Sequence, residues 1–134
     1  MKSLVVEDDE LSRTILQELL SLHGEADAAE DGKAGIEAFR EALDEKSPYD
    51  LVCLDIMMPD MDGHEVLRMI RMIEKSRGIK EEDAATVIMA TALADRKNVV
   101  EASERCDAYL IKPLHKEKLL EKLKDLGLLD KPAT

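Results

Sequence analysis

Short apolar runs alternate along the chain with segments in which apolar residues recur every three or four positions. The runs at 2–6, 25–29, 50–54, 86–90 and 108–111 have the length of strands. A segment over 95–106 has a thin apolar face at helical spacing. Four other helices are predicted from Leu11, Ile15, Leu19 and Leu22; from Ile36, Phe39 and Leu43; from Val66, Leu67, Ile70 and Ile73; and from Leu119, Leu120, Leu123 and Leu126.

The alternation of five strands with five helices predicts an α/β fold. Such a chain forms an open parallel sheet with helices on both faces. Gly24 is expected to cap the first helix, and Pro48 separates the second helix from the third strand. The charged segment 75–85 is predicted to be a surface loop.

Composition narrows the class of protein. The 134 residues are the size of one domain, and 45% hydrophobic with 37% charged residues is typical of a globular chain. The formal net charge of −11 argues against direct binding to nucleic acid, because counterion displacement needs a basic surface. No apolar run is long enough to cross a bilayer, so we expect no membrane insertion.

The cysteines indicate the compartment. Cys53 and Cys106 lack CxxC spacing, and the N-terminus has no signal-peptide pattern. We therefore expect free thiols in a reducing environment and a cytoplasmic protein.

Acidic residues follow two of the predicted strands. Glu7, Asp8 and Asp9 come directly after the first strand, and Asp55 closes the third. The carboxyl ends of parallel strands meet at one edge of the sheet, which is where ligands bind. Acids at buried strand ends are costly unless something cationic balances them. The sequence therefore predicts an acidic pocket for a divalent metal, with one carboxylate available for chemistry.

Four short motifs fall at or just beyond predicted strand ends. They are Val-Glu-Asp at 6–8, Asp-Ile-Met-Met-Pro-Asp-Met-Asp-Gly at 55–63, Thr-Ala at 91–92 and Tyr-Leu-Ile-Lys-Pro at 109–113. Together they resemble the receiver domains of two-component response regulators, from about Lys2 to Leu126. The resemblance implies a flavodoxin-like (βα)5 three-layer fold with strand order 2-1-3-4-5. It also implies a receiver domain at 1–127, a short tail at 128–134 and no output domain.

The same resemblance assigns the site residues. Asp55 would be the phosphoacceptor and a metal ligand. Asp8 would bind Mg²⁺ directly, Glu7 would act through water, and the backbone carbonyl of Met57 would be a further ligand. Lys112 would contact the phosphoryl oxygens.

Asp9 is an additional acid beside this pair. Val6 before the pair and Arg13 after it fix the register of the motif, which places Asp9 outside the metal pair. An Asp directly before a helix accepts hydrogen bonds from free backbone N–H groups, so Asp9 is predicted to be the N-cap of the first helix.

Two further positions are typical of a phosphorylation switch in this family. Thr91 would donate its hydroxyl to the phosphoryl group, and Tyr109 would turn inward in response. The bond between Lys112 and Pro113 would be a cis peptide that aims the lysine, which an X-Pro bond permits.

The implied function is phosphoryl transfer from the phosphohistidine of a histidine kinase, or of a histidine phosphotransfer protein, onto Asp55. Output would occur through contacts with a downstream protein. The protein would catalyse only its own phosphorylation and dephosphorylation. The alternatives are a small Mg²⁺-dependent phosphatase with an aspartyl-phosphate intermediate, a passive phosphoryl-relay carrier, and a degenerate receiver that binds a partner constitutively.

The sequence departs from the family pattern at several positions. The glycine that commonly precedes the last strand is replaced by Arg-Cys-Asp at 105–107, and the 75–85 connection is long. Met57 and Leu93 would flank the path of an attacking water, and large apolar groups there are expected to slow hydrolysis of the acyl phosphate.

Overall fold

The computed structural model describes residues 1–92, 107–112 and 114–129. Neighbouring strands are parallel, and their order is β2-β1-β3-β4-β5. This confirms the predicted flavodoxin-like sheet. The strands are β1 (Ser3–Val6), β2 (Ala26–Ala29), β3 (Leu51–Asp55), β4 (Thr86–Ala92) and β5 (Ala108–Lys112).

The described helices lie where the apolar spacing predicted them. They are α1 (Glu10–Ser21), α2 (Gly32–Asp44), α3 (Gly63–Ser76) and α4 (Lys116–Asp125), and a short 3₁₀ turn spans Glu81–Asp83. The helix predicted over 95–106 lies outside the described residues.

The sheet separates two apolar cores because successive side chains of a strand point to opposite faces. On one face, Leu4, Val6, Val52 and Leu54 pack with residues of α2 and α3 such as Phe39 and Ile70. On the other face, Val5 and Cys53 pack with Leu16 and Leu20 of α1 and with Leu119 and Leu123 of α4.

The buried face of α1 differs from the prediction. Leu11 is 69% exposed, and Ile15 and Leu22 are exposed as well. Leu16 and Leu20 are buried against Val5 and against α4. Helix α1 carries apolar residues over more than one stripe, and spacing alone does not identify the stripe that faces the sheet.

The role predicted for Gly24 was wrong. Helix α1 ends at Ser21 with Leu22 as its C-cap, two residues before Gly24. Gly24 has φ +145°, and a Cβ atom there would lie 1.8 Å from the carbonyl oxygen of Met1. The glycine is needed for close approach to the first residue of the chain.

A polar network occupies the region where the family glycine is missing. Arg71 donates to Glu74 at 2.8 Å, to the carbonyl of Ala85 at 2.9 Å and to Asp107 at 3.2 Å. Asp107 also accepts from the N–H of Val87 at 2.8 Å, and the buried Glu74 accepts from the N–H of Ala85 at 2.7 Å. These contacts tie α3 to the residues directly before β4 and β5. The segment 75–85 that was predicted to be a surface loop therefore follows a buried carboxylate, Glu74, and ends at a buried residue, Ala85.

Substitutions on the buried and exposed faces of α1 should change the stability of the protein by different amounts. Leu20→Ala should lower the free energy of unfolding by about 2–5 kcal/mol, because it leaves a cavity in a packed core. Leu11→Ala should change it by less than about 0.5 kcal/mol, because that side chain is in water. Urea unfolding followed by far-ultraviolet circular dichroism measures both, and equal losses would show that Leu11 is buried.

Candidate functional site

Three carboxylates converge at the carboxyl edge of the sheet. Val6 pairs with Leu54, so β1 and β3 end at the same level and place Glu7 beside Asp55. One carboxylate oxygen from each of Glu7, Asp8 and Asp55 lies within 4.8 Å of the others. Glu7 is 1% exposed and Asp55 is 5% exposed, whereas Asp8 is exposed. The site therefore has two buried acids beneath one that faces solvent.

Lys112, the last residue of β5, balances part of this charge. Its Nζ lies 3.1 and 3.2 Å from the two carboxylate oxygens of Glu7 and 3.2 Å from Oδ1 of Asp55. Burial alone would lower the pKa of Lys112, but its hydrogen bond to Glu7 and the charges of Asp55 and Glu7 outweigh burial and raise it. Lys112 is therefore held as a cation between the two buried acids.

One lysine does not compensate three carboxylates. Burial raises the pKa of Asp55 to about 7, and the negative charge of Glu7 adds to this effect while Lys112 opposes it. The cluster thus carries unbalanced negative charge and consists of oxygen donors. These residues fit a hard divalent cation, which takes carboxylate and carbonyl oxygens as ligands.

The backbone around Asp55 is positioned by a glycine. Gly63, the first residue of α3, donates its N–H to the carbonyl of Ile56 at 2.9 Å. A Cβ atom at Gly63 would lie 2.5 Å from the carbonyl oxygen of Asp55 and 2.8 Å from Cα of Ile56. The N-terminus of α3 can therefore lie against the end of β3 only with glycine at this position. Asp62 caps the helix by accepting from the N–H of Glu65 at 3.0 Å.

The turn between β1 and α1 separates Asp9 from the other acids. Asp9 has extended backbone geometry and accepts from the N–H of Ser12 at 2.8 Å, which confirms it as the N-cap. That hydrogen bond also holds the pKa of Asp9 below its usual range. Arg13 donates from Nη1 to the carbonyls of Glu7, at 2.9 Å, and Asp8, at 3.4 Å. Sequence reasoning used Arg13 only to fix the motif register and missed these contacts.

The other predicted residues are placed as follows. Met57 is 60% exposed in the loop after β3. Tyr109 is 39% exposed on β5 and pairs with Met89, and the backbone of Thr91 pairs with Ile111. Pro113, and with it the predicted cis peptide after Lys112, lies outside the described residues, as do Leu93 and Cys106.

Cys53 lies below the site in β3 as a buried free thiol. Burial raises the pKa of this thiol to about 12. Cys53 is therefore a protonated core residue and not a nucleophile.

Residues 3–124 match the family model of the response regulator receiver domain. The chain belongs to this family. Receiver domains are signalling modules of two-component systems. Phosphorylation and signalling to other proteins are consistent with this family. The family match does not favour the phosphatase or the passive-carrier alternative.

Two curated relatives of this receiver domain have nearly the same length. The chain is 34% identical to the two-component response regulator ORR41 of Oryza sativa subsp. japonica over 89% of this chain and 88% of that protein. It is 35% identical to the chemotaxis protein CheY of Halobacterium salinarum over 92% of this chain and 93% of that protein. Other curated relatives are longer, and the chain spans 50% of the regulatory protein VanRB of Enterococcus faecalis.

Solved structures agree with this assignment. The receiver domain superimposes on the structure of the CheX–CheY–BeF₃–Mg²⁺ complex from Borrelia burgdorferi with a TM-score of 0.78 and 26% identity, over 96% of this chain and 90% of that chain. Among the described residues, no helix has the length and apolar character needed to span a membrane.

The raised pKa of Asp55 predicts a pH dependence of stability without metal. Between about pH 4 and pH 7, Asp55 holds a proton in the folded receiver domain more often than in the unfolded chain, so its contribution to stability falls as pH rises through this window. In EDTA at pH 8, Asp55→Asn should raise the free energy of unfolding by on the order of 1–3 kcal/mol, and near pH 4 the gain should vanish.

Urea titrations at the two pH values measure this difference. Glu37→Gln, which removes one charge from an exposed position on α2, is the matched control and should show no such pH dependence. If Asp55→Asn raised the free energy of unfolding equally at both pH values, the result would contradict a raised pKa of Asp55.

Proposed function

We propose that Asp55 accepts a phosphoryl group from a phosphohistidine, in a reaction that needs a divalent cation at Glu7, Asp8 and Asp55. The observation that carries this proposal is the convergence of these three carboxylates with Lys112, whose Nζ lies 3.2 Å from Oδ1 of Asp55. The phosphoryl donor would be a histidine kinase or a histidine phosphotransfer protein, in keeping with the family.

The transfer step follows from the positions of these side chains. An oxygen of the Asp55 carboxylate attacks phosphorus and forms a P–O bond. The P–N bond to the donor imidazole breaks, and its electron pair stays on the nitrogen, which takes up a proton. Lys112 favours the ionised form of Asp55 that attacks, and it then lies within reach of the phosphoryl oxygens.

We assign the cation as Mg²⁺. Asp8, the exposed acid, would be the direct ligand, Glu7 would act through water, and the backbone carbonyl of Met57 would complete the protein ligands. When bound, Mg²⁺ supplies the charge that neutralises the phosphoryl oxygens during transfer. The Borrelia burgdorferi relative, solved as a complex with CheX, BeF₃ and Mg²⁺, supports both this metal and an output through protein contacts.

Thr91 and Tyr109 are proposed to convert phosphorylation into a change at the surface. Their strands are hydrogen-bonded neighbours, and Tyr109 lies at the partly exposed edge strand that also carries Lys112. New hydrogen bonds from Lys112 and Thr91 to a phosphoryl group would favour one position of Tyr109 over the other.

The proposed receiver unit is residues 1–127, and the family match covers most of it. Leu128 and Leu129, which belong to the proposed tail, still pack against the core beside α4. The buried free thiol of Cys53 is compatible with the proposed cytoplasmic location.

Incubation with Mg²⁺ and acetyl phosphate should add one phosphoryl group to the protein, because a small donor can replace phosphohistidine. Intact mass should rise by one phosphoryl group, and hydroxylamine should remove it. Asp55→Asn should abolish the gain. Asp60→Asn, in the same loop, should keep it, because residue 60 is in the left-handed region that Asn tolerates.

The samples treated with Mg²⁺ and acetyl phosphate also test the proposed change at Tyr109. Amide resonances of β5 should shift on phosphorylation in the wild type, and Lys112→Ala should reduce the shifts. Equal labelling of Asp55→Asn would contradict the phosphoacceptor assignment. Full labelling without shifts in β5 would instead support a passive carrier.

The metal assignment predicts that Asp8 and Asp9 differ. Asp8→Asn should weaken Mg²⁺ binding by at least about tenfold, because it removes a charged oxygen from the cluster. Asp9→Asn should have little effect, because Asn also caps helices and residue 9 faces α1. Amide shifts during a Mg²⁺ titration give both dissociation constants. A larger loss for Asp9→Asn would mean that the acidic pair is Asp8 with Asp9.

A further inference from the structure

Arg13 contacts the backbone of the turn that carries two of the three acids. It lies in the first turn of α1, and its Nη1 reaches back to the carbonyl of Glu7 at 2.9 Å and to that of Asp8 at 3.4 Å. The side chain is half-buried beneath this turn. A charged donor that holds two successive carbonyls restricts the directions available to the backbone between them.

Glu7 and Asp8 depend on this turn to different degrees. Glu7 is also held by its N–H, which donates to Ala29 at 3.1 Å, and by its carboxylate, which accepts from Lys112. Asp8 is exposed and makes no ion pair with Lys112 among the described contacts. Its carboxylate lies close to those of Glu7 and Asp55, which repel it when all three are ionised, so its direction depends on the backbone of the turn.

We infer that Arg13 is a positioning residue for the metal site, because it holds the turn so that Asp8 points toward Glu7 and Asp55. The inference rests on the proposed function, in which these acids bind Mg²⁺. Arg13 itself binds neither metal nor phosphoryl group, since its guanidinium is directed to the carbonyls.

The positive charge of Arg13 acts in the opposite sense. A cation near three carboxylates repels a divalent metal, so removing it would tighten Mg²⁺ binding if charge alone mattered. The positioning role predicts weaker binding, because partners that orient metal ligands typically contribute 10-fold to 100-fold in affinity. The sign of the change separates the two effects.

The experiment is a Mg²⁺ titration of the full chain without a phosphoryl donor, followed by amide shifts. Arg13→Met keeps the length and apolar stem but has no donor, and should weaken binding by about tenfold or more. Arg13→Lys, whose ammonium reaches less far, should give an intermediate value. Arg40→Met is the matched control, because Arg40 is exposed on α2 and away from the site. It should bind Mg²⁺ like the wild type.

Binding by Arg13→Met as tight as that of Arg40→Met, or tighter, would overturn the inference. Unchanged amide shifts in β2 show that a variant is folded. If Arg13→Met does not fold, Arg13→Lys decides by the same comparison with Arg40→Met.

Asp8→Asn in the same titration separates this inference from the proposed function. Unchanged affinity in Asp8→Asn would overturn the metal site itself. Weakened affinity in Asp8→Asn together with wild-type affinity in Arg13→Met would overturn only the role of Arg13.

Discussion

The carboxylates of Glu7 and Asp55 are buried side by side at the carboxyl edge of the sheet, and Lys112 lies between them. Burial of a charged group is unfavourable unless it is paired and hydrogen-bonded, and Nζ of Lys112 contacts both acids. This three-residue contact joins the ends of β1, β3 and β5. Removal of the lysine would leave two like charges in a region that water barely reaches.

The negative charge of the three carboxylates is not fully balanced, even with Lys112 present. The raised pKa of Asp55 reflects burial and the repulsion of Glu7, and Asp8 adds a third acid at the surface. The folded chain therefore holds its acids in an unfavourable position that a divalent cation would relieve. A site that is destabilised until its ligand binds couples ligand binding to the stability of the surrounding loops.

Backbone contacts maintain this position. Gly63 allows α3 to lie against the carbonyl of Asp55, and Arg13 holds the turn that carries Glu7 and Asp8. The two contacts act on different strands, β3 and β1. Each holds the backbone next to an acid of the site.

The sequence by itself predicted a parallel α/β sheet and an acidic site at its carboxyl edge, and the resemblance to receiver domains implied the strand order that the structure shows. Strand and helix alternation predicts a parallel sheet, and acids directly after β1 and within β3 must then meet at one edge, because parallel strands share a direction. The N-cap role of Asp9 was also predictable, since capping depends on a few neighbouring residues.

Only the tertiary structure decided which stripe of α1 is buried, why Gly24 is required and what Arg13 contacts. The first two depend on a partner distant in sequence or on the rotation of a helix about its axis, and the contacts of Arg13 depend on how the chain turns between β1 and α1. Leu20 is buried in a core that Val5 and residues of α4 share, and Gly24 is needed because a Cβ atom there would collide with the carbonyl oxygen of Met1. The spacing of apolar residues predicts that a helix forms, but which face of the helix is buried depends on the elements that pack against it.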